Sequence, residues 1–210
     1  DTVVYIDVLH SDRTAIEAKL QLAISDTSTF MYFASSMVAD MNARSIVGID
    51  VGTSKTVAEY ISDVTPPSLV SFTLDLTTEE LTLTFSETVD VASIAISSGN
   101  AKYQLVGNAD CTDGLNLDMT ASVWIVGTTD SADGPEIIVK LSLDTLNTIK
   151  AQRGLATSLE NTYIIVRPGA VSDTVFPVKN VYSEVVSCSS PLLAGVWVRD
   201  QTSPVLDTAY

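Results

Sequence analysis

The stretch Leu69-Val-Ser-Phe-Thr-Leu-Asp-Leu76 and its successor Leu81-Thr-Leu-Thr-Phe85 set apolar residues largely in alternation with polar ones, with Thr77-Thr78-Glu79-Glu80 between them. Successive side chains of a strand point to opposite faces, so this passage predicts a hairpin with one dry face. Working outward, further strands are predicted at 91–96, 102–106, 119–126, 137–143, 163–167 and 175–186, joined by Gly-, Asp- and Asn-containing connections. Charged residues make up only 18% of the chain, and Ser and Thr sit between Val, Ile and Leu as they do on sheet surfaces. Regularly spaced strands with polar turns predict an all-β, antiparallel sandwich.

One helical interruption is expected in Leu143-Asp-Thr-Leu-Asn-Thr-Ile-Lys-Ala-Gln-Arg-Gly154. Asp144 or Thr145 can cap its start, Leu146 and Ile149 share one face, and Gly154 can close its end. Residues 11–22 read the same way. So short a helix is marginal alone, which places it as a plug against one end of the sandwich.

The two helical stretches belong to a longer correspondence. Ile16, Leu22, Ala23, Ser25 and Thr29 recur as Ile149, Leu155, Ala156, Ser158 and Thr162 at one offset, 133 (155 − 22). Val38 and Asp40 keep step with Val171 and Asp173, while Asp63-Val-Thr-Pro-Pro-Ser-Leu69 returns as Asp200-Gln-Thr-Ser-Pro-Val-Leu206 at an offset of 137 (200 − 63). A recurrence of this kind is the signature of a tandem array. The expected organisation is residues 1–62 as the C-terminal half of one repeat, 63–199 as a complete repeat, and 200–210 as the first strand of the next. A half-repeat leaves apolar faces and strand edges uncovered, so residues 1–62 are expected to be completed by a neighbouring copy or by further parts of the same polypeptide.

Thr65-Pro-Pro-Ser-Leu-Val-Ser-Phe72, Leu81-Thr-Leu-Thr-Phe-Ser-Glu-Thr-Val89 and Val171-Ser-Asp173 together resemble the Ig-like tandem repeats of large bacterial and algal surface proteins. That family has a "TPP" opener, an "LTFSE-V" second strand and a late "V-x-D-x-x-G-N" turn. Val38-Ala-Asp-Met-Asn42 is a partial form of the turn, whereas Val171-Ser-Asp-Thr-Val-Phe-Pro177 lacks the Gly-Asn pair. The resemblance implies Ig-like β-sandwich repeats, each with one short inserted helix, in an extracellular, load-bearing or adhesive array. It brings no catalytic residues with it.

Charge narrows the partners. A formal net charge of −15 argues against nucleic acid or anionic lipid, which are held by clustered Lys and Arg. No apolar run approaches the roughly 20 residues that span a bilayer as a helix. The expected partners are copies of the chain itself, head to tail, and glycans. No Asn-x-Ser/Thr sequon is present, which leaves Ser and Thr in Thr77-Thr78, Thr128-Thr129 and Ser187-Cys-Ser-Ser190, or hydroxylated Pro, as acceptors.

Candidate chemistry is sparse. Gly48-Ile-Asp-Val-Gly-Thr-Ser-Lys-Thr56 resembles the first phosphate-binding hairpin of the sugar kinase, actin and heat-shock ATPase superfamily, but the chain has no Gly-Gly pair for the companion loops. The segment is therefore read as strand-turn-strand with Gly52 at the bend. His10 is the only histidine, and Leu143 stands at the corresponding position, so a structural role is expected and no catalytic residue is assigned. Glu79 and Glu80 fall in a turn, where their side chains diverge into solvent. Asp63 and Asp200 at the repeat junctions, Asp40 and Asp173 at the late turns, and Glu87 are the candidate calcium ligands, without a dense Asp-x-Asp-x-Asp loop among them. No cofactor is expected. Trp124 and Trp197 read as core or interface anchors, with Trp197 or Tyr210 the sugar platform if the array is instead an adhesin or carbohydrate-binding module.

Cys111 and Cys188 both lie in the complete repeat and the half-repeat has none, so one intra-repeat disulfide is the simplest pairing, with two buried free thiols as the alternative. On the chain-entropy model a loop of that length contributes about 4 kcal/mol. Peptide mapping without reductant is expected to recover Cys111 and Cys188 in one linked species that reduction separates; unlinked peptides would exclude the bridge.

Overall fold

The computed structural model describes residues 3–19, 21–109, 121–175, 178–182, 186–187 and 189–203. The chain divides into two units, Asp1–Thr65 with Val175–Lys179, and Pro66–Thr174 with Asn180–Tyr210. Cys111, Cys188, residues 119–120 of the strand expected over 119–126, residues 176–177 and 183–185 of that expected over 175–186, and residues 204–210 of the expected tail strand lie outside the described residues; the described residues of 175–186 make isolated bridges at Val181 and Val186 in place of a strand.

The first unit contains a short helix, α1 (His10–Glu17), and two short strands, β1 (Phe30–Met31) and β2 (Lys55–Thr56), paired antiparallel. Isolated bridges continue the pairing from Phe33 to Ile49 and from Ala39 to Ser45. Both ends of the Gly48–Thr56 segment thus face residues 30–33, and a 3-10 turn at Val51–Thr53 bulges out between them. The strand-turn-strand reading needs this correction: the two arms do not pair with each other, because each finds its hydrogen bonds on the same third segment.

The second unit is built on the anticipated hairpin. Strands β3 (Leu69–Asp75) and β4 (Glu80–Val89) pair antiparallel, and the Asp75 carboxylate accepts the amides of Thr77 and Thr78 at 2.7 and 3.1 Å to hold the turn. Glu79 takes the left-handed conformation there, with φ 66°. Four more strands follow: β5 (Tyr103–Val106), β6 (Ser122–Trp124), β7 (Gly127–Thr128) and β8 (Gly134–Leu141). Beyond the helix α2 (Leu143–Ala151) come β9 (Tyr163–Val166), β10 (Leu192–Leu193) and β11 (Val196–Val198). One sheet has the order β11-β3-β4-β8-β7 and the other β10-β9-β5-β6. Among the described residues the chain is therefore mostly β-sheet with two α-helices.

Register explains the core. Leu74 lies opposite Leu81 and Leu81 opposite Val139; Phe72 lies opposite Leu83 and Leu83 opposite Ile137, so two apolar rows cross three strands. They share one cluster with Tyr103, Leu105, Ile164 and Val166 of the other sheet and with Leu146 and Ile149 of α2. Burying each such side chain is worth about 1.5–3 kcal/mol. Burial also pushes the Tyr103 phenol well above its ordinary pKa, with Tyr182 beside it adding to the shift, and its hydroxyl donates to the Ala170 carbonyl.

Four local expectations change. Residues 91–93 form a 3-10 turn rather than a strand, because the Asp90 side chain accepts the Ala92 amide and the Ser93 hydroxyl donates to the Asp90 carbonyl, which diverts the backbone from a ladder. Ser142, not Asp144 or Thr145, caps α2, its hydroxyl accepting the Thr145 amide at 3.2 Å. Strand β11 runs parallel to β3, so the sheets are not wholly antiparallel. The chain reaches that seat by leaving β10 at Ala194, whose amide donates to the Thr162 carbonyl, and entering the other sheet at Gly195, whose amide donates to the Phe72 carbonyl.

Gly154 does not end α2 by a left-handed turn; Gln152 is its C-cap and Ala156 takes the positive φ. The close approach at Gly154 needs glycine at Gly107, where a Cβ would lie 1.9 Å from the Gly154 carbonyl oxygen. Gly107→Ala must therefore push two backbones apart, and a loss of about 1–3 kcal/mol is expected in chemical denaturation. An unchanged midpoint would contradict this packing.

Candidate functional site

The positions offset by 133 and 137 residues share backbone geometry. Helix α1 begins at His10 and α2 at Leu143 (143 − 10 = 133). Ala23 and Ala156, at the same offset, are both left-handed, with φ 54° and 51°. The Thr29 hydroxyl donates to the Ser25 carbonyl at 2.6 Å, and the Thr162 hydroxyl to the Ser158 carbonyl at 2.7 Å. Phe30 pairs with Thr56 as Tyr163 does with Leu193, Met31 with Lys55 as Ile164 with Leu192, and Phe33 with Ile49 as Val166 with Val186. The first member of each pair is displaced by 133 and the second by 137, so four residues (137 − 133) are inserted between.

The four Asp residues among the candidate calcium ligands fall into this pattern as turn formers. The Arg44 amide donates to Asp40 Oδ1 and the Asn180 amide to Asp173 Oδ1, both at 2.8 Å, and each Asp amide donates back to the partner's carbonyl. Three of the four inserted residues lie inside that turn, which spans 40–44 in one case and 173–180 in the other. Asp63 accepts the Thr65 amide at 2.8 Å, as Asp200 accepts that of Thr202 at 2.9 Å. Carboxylates that accept backbone amides in this way fix turns. Glu87 is buried in β4.

The ion pairs have changed places. Lys150 Nζ lies 2.9 Å from Asp200, but the position corresponding to Lys150 is Glu17, and Asp63 is met instead by Arg13 at 3.2 Å. Arg13 also holds Glu17 at 2.6 Å and stands where the second unit buries Leu146. The hydroxyl of Thr202, followed by the ammonium of Lys150, holds the Asp200 carboxyl well below the usual carboxylate range. Whatever stability this exposed group adds is present above the unfolded pKa and fades as pH falls through the folded one.

The units differ in what covers them. Leu155 is 1% exposed and Ile164 0%, whereas the corresponding Leu22 and Met31 are 46% and 52% exposed. Tyr32, Met37, Val38 and Ile46 are likewise exposed where Ile165, Ala170, Val171 and Tyr182 are buried. Among the described residues from 3 to 65, none is buried. The candidate site is this apolar face. Alternation alone reveals that these residues are apolar; that they are left uncovered was expected from the half-repeat organisation of residues 1–62.

Within the second unit, Lys150, Arg153, Trp197, Arg199 and Asp200 line a groove of about 410 Å³. Trp197 is partly buried and its indole N–H donates to the Ala156 carbonyl at 2.9 Å, which anchors the ring in the wall. Trp124 lies under the Arg167 guanidinium, 4.4 Å from its carbon. Residues 129–133 connect β7 to β8, which pair antiparallel. Comparisons with protein-family models, with curated proteins and with solved structures find no match to the chain.

Truncating the two corresponding positions should separate their environments. Ile164→Ala is expected to lower stability by about 2–5 kcal/mol, whereas Met31→Ala in the isolated chain should stay within about 0.5 kcal/mol. Calorimetric unfolding measures both, and equal losses would show that the first unit has a sealed core of its own.

Proposed function

We propose that this chain is a structural segment of an extracellular filament, sheath or surface appendage built from tandem Ig-like β-sandwich repeats. The observation that carries the reading is that the apolar face of residues 1–62 is uncovered while the corresponding positions of the second unit are sealed. Apolar residues held in a defined backbone frame but left in water mark an interaction surface. Strand edges next to them favour association by main-chain pairing. In this reading repeats complete one another along the assembly, and load passes through strand pairing and apolar burial between them. Surface charge of one sign keeps free chains soluble, while the turn-forming Asp residues set the junction geometry. The Ser and Thr of the connections are glycan acceptors in this view. Catalysis has no part in it.

A second reading, a cell-surface adhesin or carbohydrate-binding array, draws on the Trp197 groove, where Lys150, Arg153 and Arg199 gather cationic side chains on an otherwise acidic chain. Electron microscopy of the native material separates the two. Filaments or sheets with an axial repeat are the expected result; discrete particles that bind glycans would favour the adhesin and remove the structural reading.

A further inference from the structure

The correspondence extends to residues 1–9, which at the offset of 133 fall on residues 134–142. Val4, Ile6 and Val8 then take the places of Ile137, Val139 and Leu141, and Leu9 that of Ser142; Leu9 and Ser142 are the N-cap residues of α1 and α2. In the second unit Ile137 and Val139 are fully buried on β8, opposite Leu83 and Leu81 of β4. Val4 and Ile6 are 68% and 57% exposed, and residues 3–9 lie in no described strand.

Two further segments lack the same neighbours. Residues 30–33 correspond to β9, which pairs with β5 through Ile164 with Leu105 and Val166 with Tyr103. Glu59, Tyr60 and Ile61 correspond to β11, which lies parallel to β3 with Val196 beside Thr73 and Val198 beside Asp75. Among the described residues, neither segment has a strand in that place. The three missing neighbours, β3, β4 and β5, all come from one stretch of the second unit, residues 66–133.

We propose that the first unit is the receiving half of a β-structure, and that its occupant is a polypeptide segment with the strand pattern of residues 66–133. This rests on the repeat reading above and adds the partner and its register. The occupant's counterparts of Leu81 and Leu83 lie opposite Ile6 and Val4, those of Leu105 and Tyr103 beside Met31 and Phe33, and that of Thr73 beside Glu59. All three edges close together, because Val4, Ile6, Met31 and Phe33 correspond to members of one core cluster and Tyr60 to Trp197, which packs against it. The register also sets a charge preference. Glu80 faces Lys140 in the second unit, but the position corresponding to Lys140 is Asp7, so the occupant carries a basic or neutral residue where β4 has Glu80.

The test supplies the missing half. Residues 66–133 are placed as an extension directly before Asp1, so that Asp133 runs into Asp1 as it runs into Gly134. Hydrogen exchange is followed at residues 4–8, 30–33 and 58–61, together with binding of an apolar dye. The expected result is exchange slowed by about tenfold or more at all three segments and a fall in dye fluorescence. Glu80→Lys in the added segment should raise the melting temperature further, and Leu83→Asp in the same segment should abolish the protection. A synthetic peptide of residues 66–106 added to the unmodified chain provides a second route should the extended chain misfold. Exchange as fast as in the unmodified chain by both routes, or protection indifferent to Leu83→Asp, would overturn the proposal. Neither result depends on whether the native material is filamentous: protected edges without filaments would remove only the functional reading, and filaments with unprotected edges only this one.

Discussion

Burial of one face of an alternating strand is the constraint on which the second unit depends. Strands of this pattern expose half their side chains to each side, and the apolar side is unfavourable in water unless another layer covers it. Leu81 and Leu83 satisfy it through Leu74, Phe72, Ile137 and Val139 in their own sheet and through Tyr103, Leu105 and Ile164 of the other. Helix α2 contributes Leu146 and Ile149 to the same cluster, which is why nine residues remain helical where propensity alone would not hold them. Among its described residues the first unit has segments corresponding to β8, α2, β9, β10 and β11 without counterparts of β3, β4 and β5. Its local backbone is kept, and its apolar face is not covered.

That contrast separates two kinds of structural information. The left-handed alanines at 23 and 156, the hydroxyl-to-carbonyl bonds of Thr29 and Thr162, and the amide-accepting carboxylates of Asp40 and Asp173 are contacts between near neighbours in sequence. Such contacts form wherever the same short sequences occur. Long-range strand pairs need a partner segment, and they mark where the units diverge. Glu17 stands at the position corresponding to Lys150 and Arg13 at that of Leu146, so the side chains at corresponding places differ while the local backbone is alike.

Much of the second unit was legible in residue order. The Leu69–Phe85 hairpin, the strands near 103, 137 and 163 and the helix after Leu143 follow from alternation and from spacing of apolar residues, both properties of short windows. The strand expected at 91–96 failed because Asp90 and Ser93 turn the backbone with their own side chains. The cap was misplaced by two residues or more because Ser142 sits at the end of β8, where a hydroxyl serves either element. The candidate calcium residues Asp63, Asp200, Asp40 and Asp173 were legible as acidic positions at recurring junctions and turns, but their hydrogen bonds to Thr65, Arg44, Asn180 and Thr202 amides were not.

By itself the sequence determined the main hairpin and the approximate places of most strands and of the helix after Leu143, which positions correspond across the chain and which faces are apolar, since all of these depend on residue spacing and local stereochemistry. Only the tertiary structure decided that β11 enters parallel to β3, that Gly107 meets the Gly154 backbone, and that the chain crosses from one sheet to the other between Ala194 and Gly195. Those outcomes turn on which distant segments meet, and burial is a property of the pair that meets, not of either residue alone.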